Sequence, residues 1–196
     1  MFNVIHLDFL CPEDQLSIVT DEKKQLAKKL DLLNEVILGL CFYSTPENCL
    51  AEYLKKIMSL ENIDVACLFS VDRKAKRLNL ESCSSTNIAV KKITGTLSTE
   101  AGYRLASRGL PVFSKMKKFQ HLIGLTQEKS IQFKAIAFIP IIIKTKIIAV
   151  LVVGSRHSDS WSFESKELME MVARPAGFIM NQFSDQGLQL ELNFSN

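Results

Sequence analysis

The sequence lacks any stretch of about 20 uncharged apolar residues, the length a membrane-spanning helix requires. The nearest approach is FKAIAFIPIIIKTKIIAVLVV, Phe133 to Val153, and Lys144 and Lys146 interrupt it near the middle. What remains are apolar pieces of nine residues (Ala135 to Ile143) and seven (Ile147 to Val153), so no membrane partner is expected. Cysteine is sparse: the five residues Cys11, Cys41, Cys49, Cys67 and Cys83 are odd in number and contain no CxxC pair. Neither a disulfide framework nor a zinc or other metal site is expected, and a reducing, cytoplasmic setting fits. An excess of one charge is missing too, since the formal net charge is only +3, too small to imply nucleic acid. Basic pairs at Lys23-Lys24, Lys28-Lys29, Lys91-Lys92 and Lys117-Lys118 are scattered among acidic residues and read as solvated surface. The opening MFNVIHLDFLCPED has no basic n-region and Asp8 breaks its apolar run, so a signal peptide is not expected. Internal repeats and low-complexity segments are absent.

What is present is ordinary for a compact soluble domain. A chain of 196 residues with 47% hydrophobic and 23% charged content can bury a sizeable core. The two apolar pieces have strand length and are rich in Ile and Val. Joined by the polar Lys144-Thr145-Lys146, they read as an antiparallel hairpin. Their near-continuous apolarity implies that both faces are covered, which places the hairpin at the centre of a sheet.

Residues 1–20 form a poorly patterned leader. From Asp21 onwards Leu26, Leu30, Leu33, Ile37 and Leu40 recur at spacings of 4, 3, 4 and 3, one apolar stripe of a helix that Thr20 or Asp21 can cap. The stripe is also a short heptad seam, so packing within the domain and pairing with a second chain both stand. Ser44-Thr45-Pro46-Glu47 opens a second helix, with Pro46 at the tolerated first turn. Strands follow at Asp64 to Val71 and Arg77 to Cys83, around an Asp72-Arg73-Lys74 turn. Ser84 to Leu97 is weakly patterned. Thr99 to Arg108 reads as a short helix ended by Gly109. Pro111-Val112-Phe113 is a short strand, and Lys115 to Lys129 a loop with a helical turn. After the hairpin, Ser160 or Ser162 caps a last helix carrying Phe163, Leu168, Val172, Ile179 and Phe183. Residues 185–196 are expected to be a mobile tail.

This order of elements, together with several motifs, resembles the GAF family of sensory domains over residues 21–184. Ala101-Gly102-Tyr103-Arg104-Leu105-Ala106-Ser107-Arg108-Gly109-Leu110-Pro111-Val112 is similar to the family's glycine-containing short helix followed by Gly-x-Pro-Val. Ile139-Pro140-Ile141 is similar to its strand start, Ile147 to Val153 to the strand that usually reads iGvL.l, and Trp161-Ser162-Phe163 with Glu167-Leu168 to its helix entry. The resemblance implies an α/β (α+β) fold: a GAF/PAS-like central antiparallel sheet of five to six strands, helices on both faces, and N- and C-terminal helices packed together. One face would carry the first and last helices, often as a dimer bundle. On the other, Thr99 to Arg108 and Lys115 to Lys129 would roof a ligand pocket, the long stretch between Phe113 and Phe133 being of lid-like length.

Candidate pocket residues are Cys67, Phe69, Arg104, Arg108, Phe119, His121, Phe133 and Phe138. Arg104 and Arg108, four apart, can clamp a carboxylate or phosphate; the plain alternative is a solvated pair. His121 can meet an anionic ligand or haem iron; the plain alternative is a surface or packing histidine. Cys67 and Cys83 can line the pocket or sense redox change, or be small buried hydrophobes. The phenylalanines, Phe113 included, are as readily core. No catalytic residue emerges, since the carboxylates show no pairing that suggests acid/base work.

Departures from GAF subgroups narrow the ligand. Cyclic-nucleotide binders carry Asn-Lys, then Phe, three residues, and Asp-Glu; this chain has Gly154-Ser155-Arg156 and then Phe163 with Glu167-Leu168. Bilin binders need a Cys-His dipeptide, which is absent. GAF-fold methionine sulfoxide reductases need cysteines in the roof and its neighbouring loop, and none follows Cys83. The resemblance therefore implies a non-enzymatic regulatory module that binds an unidentified small molecule, with no cofactor assigned. It would signal through a homodimer or a partner protein. The alternative is a ligand-free scaffold for dimerisation or docking.

Overall fold

The two apolar runs pair as a hairpin at the middle of the sheet. The structure is a computed structural model and describes residues 46–60, 63–85, 97–122 and 133–193, with Thr20, Lys24, Ala27, Asp31 and Asn34. The chain divides into two compact units, Met1–Glu35 and Val36–Asn196. In the first, those five isolated residues are helical and exposed. Thr20, expected as a cap, is thus already inside a helix. The seam residues Leu26, Leu30, Leu33, Ile37 and Leu40 lie outside the described residues, as does the leader before Thr20.

The second unit runs α1 (Pro46–Met58), β1 (Val65–Asp72), β2 (Arg77–Ser84), α2 (Glu100–Ala106), β3 (Val112–Lys115), α3 (Met116–Leu122), β4 (Ala135–Ile143), β5 (Lys146–Ser155) and α4 (Phe163–Asn193). The strands form one sheet in the order β2-β1-β5-β4-β3, and every neighbouring pair is antiparallel. β5 is central because its buried run is the longest, continuous from Ala149 to Ser155, and such a run needs cover on both faces. The hairpin turn is tighter than the polar triplet suggested. Ile143 pairs with Lys146, so Lys146 belongs to the strand and Lys144 takes a left-handed φ of 57°.

Side chains alternate across the sheet. Val65, Cys67 and Phe69 of β1, Ile136 and Phe138 of β4, and Val150 and Val152 of β5 enter one cluster with Leu105 and Ala106 of α2 and Met116 and Phe119 of α3. The intervening residues face the other side, where α1 and α4 pack. There the buried Tyr53 hydroxyl donates to the Val172 carbonyl. Burial pushes the Tyr53 phenol far above its ordinary range, so it remains a neutral donor.

Local signals explain most element ends. Ser162 is the N-cap of α4, its Oγ accepting from the Ser165 N–H at 3.1 Å. Gly109, at φ 67°, ends the turn after α2 by donating its N–H to the Ala106 carbonyl at 2.9 Å. In the β1–β2 turn Asp72 Oδ1 accepts from the Ala75 N–H at 2.9 Å. The segment expected as a loop from Lys115 supplies the end of β3 and all of α3, and residues 123–132 lie outside the described ones. At the far end, α4 continues to Asn193, through most of the stretch expected as a tail. Gly177 lets α4 approach the sheet. A Cβ there would stand 2.8 Å from Ile141 Cγ2.

Candidate functional site

The expected pocket residues separate into two groups. Cys67, Phe69, Phe119, Phe133 and Phe138 all enter the buried cluster on the α2/α3 side, each 4% exposed or less. The rings of Phe119 and Phe138 lie 6.4 Å apart at 37°, a packing contact between aromatic groups. Arg104, Arg108 and His121 are exposed instead. Arg104 lies in the last turn of α2, Arg108 in the turn beyond it, and His121 at the end of α3. The apolar candidates are thus buried in one cluster, and the polar ones lie at the surface of or just beyond α2 and α3, the helices that cover it.

A second location arises from a mismatch of strand lengths. β3 pairs with β4 only as far as Val112 opposite Phe138, whereas β4 continues to Ile143. The outer edge of Ile139–Ile143 is left without a strand partner among the described residues, and α4 passes beside it. The result is an open groove of about 490 Å³ lined by Gly109, Pro111, Ile139 to Ile142, Glu170, Ala173 and Arg174. Its floor is apolar. Its polar groups are the Glu170 and Arg174 side chains, one helical turn apart on α4. Its volume lies within the range of small-ligand sites, and its lining mixes apolar and polar surface.

Sequence reasoning missed this groove, although two signals bore on it. The short Pro111-Val112-Phe113 segment cannot cover a nine-residue strand, and Glu170 and Arg174 share a helix face by spacing. It also missed a charged corner at the opposite end of the sheet. Asp64, at the entry to β1, accepts from the Arg156 N–H at 2.6 Å and from Arg156 Nε and Nη2 at 3.1 and 3.0 Å. Burial alone would raise its carboxyl pKa, but these Arg156 hydrogen bonds, the Arg156 charge and the nearby His157 hold it below the usual range. Beneath it the buried Ser155 Oγ accepts from the His157 and Ser158 N–H groups at 3.3 and 3.1 Å. Gly154-Ser155-Arg156 is thus a strand terminus tied back to β1. Its polar groups are directed at protein.

The solved structures that resemble this one supply the fold's name. The GAF domain of a phosphoenolpyruvate-protein phosphotransferase (ptsP) from Coxiella burnetii superposes with a TM-score of 0.67 at 16% identity, covering 82% of this chain and 96% of that one. The GAF domain of a Pseudomonas syringae pv. tomato protein described as a sensor histidine kinase gives 0.62 at 12% identity, covering 91% and 99%. This chain has the GAF fold. A free methionine-R-sulfoxide reductase from Neisseria meningitidis, solved with its substrate, gives 0.60 at 12% identity, covering 84% and 92%. The GAF fold thus serves regulatory proteins and an enzyme alike. No family model and no curated protein matches the sequence. Among the described residues no helix is long and apolar enough to cross a membrane.

Proposed function

We propose that this chain is a regulatory sensor module of the GAF type, which binds a small molecule and passes its occupancy on through α4. The observation that carries the reading is the groove between α4 and the outer edge of Ile139–Ile143, an edge with no strand partner among the described residues. One wall is the helix that continues to Asn193, so a ligand seated there touches the longest helix of the unit. Ile139, Ile141 and Pro140 would hold an apolar body, and Arg174 a carboxylate or phosphate end. The five buried candidates serve as core beneath the sheet, and Arg104, Arg108 and His121 as solvated surface.

A ligand that binds the folded state raises its stability with the logarithm of ligand excess over Kd, by about 2.7 kcal/mol at a hundredfold excess, and its melting temperature rises accordingly. A thermal-shift screen of apolar carboxylates and phosphate esters should yield compounds that raise the melting temperature. Arg174→Ala should abolish that rise while leaving the ligand-free melting temperature nearly unchanged. No rise with any compound, or a rise that survives Arg174→Ala, would refute the groove as the site.

A second reading, a docking or dimerisation scaffold, draws on exposed apolar side chains. Leu110 is 67% exposed, Ile142 47% and Phe178 71%. Ile142 lines the groove, and Phe178 stands one turn beyond Arg174 on the same helix face.

A further inference from the structure

Cys67 and Cys83 lie 16 residues apart in sequence yet directly opposite each other in the β1–β2 ladder. Opposed residues of an antiparallel pair have Cα atoms about 4.5–5.5 Å apart, within the 4.4–6.8 Å that a disulfide spans. Both side chains leave the same face, and their Sγ atoms stand 2.8 Å apart as free thiols. The cross-strand pairing and the close sulfurs put the two thiols within disulfide reach.

The two sulfurs differ in surroundings. Cys67 is 2% exposed and belongs to the core cluster, opposite Val152 of β5. Cys83 is exposed and lies on β2, the edge strand. Cys83 is therefore the sulfur that a solvent-borne reagent reaches, and Cys67 the one that burial keeps from it. The contact with Cys83 and burial raise the Cys67 thiol, and the hydrogen bond from Cys67 lowers Cys83 despite partial burial. An accessible thiol whose pKa is lowered by a second, buried thiol is the arrangement of a reactive cysteine with its resolving partner.

We propose that Cys83 and Cys67 form a peroxide-reactive dithiol site that closes to a cross-strand disulfide. The Cys83 thiolate attacks one oxygen of a hydroperoxide, the O–O bond breaks, and the departing alkoxide or hydroxide takes a proton from solvent. Cys83 is then a sulfenic acid. Cys67 releases its proton and attacks Cys83 Sγ, forming the S–S bond and breaking the S–O bond, and the hydroxide leaves as water with that proton. Two thiols and one hydroperoxide yield one disulfide, one alcohol (water, for hydrogen peroxide) and one water. The protein loses two electrons and the peroxide gains them. A thiol reductant reverses the change. The site does not depend on the groove or on any ligand, so it stands or falls apart from the sensor reading.

The test treats the fully reduced chain with one equivalent of hydrogen peroxide, followed by alkylation and non-reducing peptide mapping. The expected result is a Cys67–Cys83 linked peptide that disappears on reduction, with Cys49, buried and remote in sequence, remaining a thiol. Cys83→Ser should abolish the link and leave Cys67 alkylatable only after unfolding. Cys67→Val, which keeps an apolar side chain in the core, should stop the reaction at a Cys83 sulfenic acid that a dimedone-type probe traps. Should Cys67→Val not fold, persistence of the linked peptide in the folded wild type and its loss in the exposed-site Cys83→Ser decide the matter. A wild type whose Cys67 and Cys83 both stay reduced, or whose disulfide joins Cys11 or Cys41 instead, would overturn the proposal.

Discussion

At the scale of single residues, Asp64 carries the clearest electrostatic consequence. Its side chain is only 10% exposed while that of Arg156 is 44% exposed, so solvent screens the pair from one side. Because the folded carboxyl is held below its ordinary value of 3.8, its contribution to stability is fully present above that value. It disappears as pH falls through the lower, folded pKa. Asp64→Asn is expected to cost about 1–2 kcal/mol at pH 7, the worth of charge-assisted hydrogen bonds discounted for exposure. Urea melts of the wild type and variant should converge as pH falls below 3.8; a gap that stayed constant with pH would refute the electrostatic account. Nothing in the sequence brings Asp64 and Arg156 together, since 92 residues separate them and only the β1–β5 register makes them neighbours.

Elements are held in place by close approach. Glycine-containing α2 sits so near the preceding turn that a Cβ on Gly102 would lie 2.1 Å from the Leu97 carbonyl oxygen. Backbone, unlike a side-chain tip, cannot swing aside. Gly102→Ala gains about 1 kcal/mol of helix propensity but should lose about 3 kcal/mol to overpacking, a net drop in melting temperature readable by circular dichroism. An unchanged or raised melting temperature would show that the Leu97 turn yields freely. The long helix α4 follows the same logic. Pro175 removes the N–H that would bond the Met171 carbonyl, and the Tyr53 hydroxyl reaches the next carbonyl along, Val172. The hairpin, the Ser162 cap and the Gly109 stop were legible because each depends on residues within a few positions of one another. The turn at Lys144 was read one residue too long, since nothing local marks Lys144 for a left-handed conformation that glycine or asparagine takes more easily. α3 was read as part of a loop because its apolar anchors, Met116 and Phe119, are too few to set a period.

For the molecule as a whole, the order of elements sufficed to anticipate the GAF fold, because strand lengths, turn residues and the covered hairpin constrain the topology together. The candidate site was less legible. The phenylalanines named for a pocket are the same residue types that fill a core, and only their mutual contacts assign them to it. A sequence signal for association of two copies is the heptad spacing of Leu26, Leu30, Leu33, Ile37 and Leu40. If that seam pairs two chains, light scattering should report a dimer whose mass halves in Leu33→Glu; a monomer at high concentration, unaltered by the substitution, would end the dimer reading. The uneven lengths of β3 and β4 have a further consequence, for solubility. A bare strand edge invites another chain to add a strand and so to seed fibres. Here Pro140, two residues past the last β3 pairing at Phe138, interrupts the row of donors that such an incoming strand would need. The groove can stay open to small visitors in a crowded solution without becoming the growing end of an aggregate.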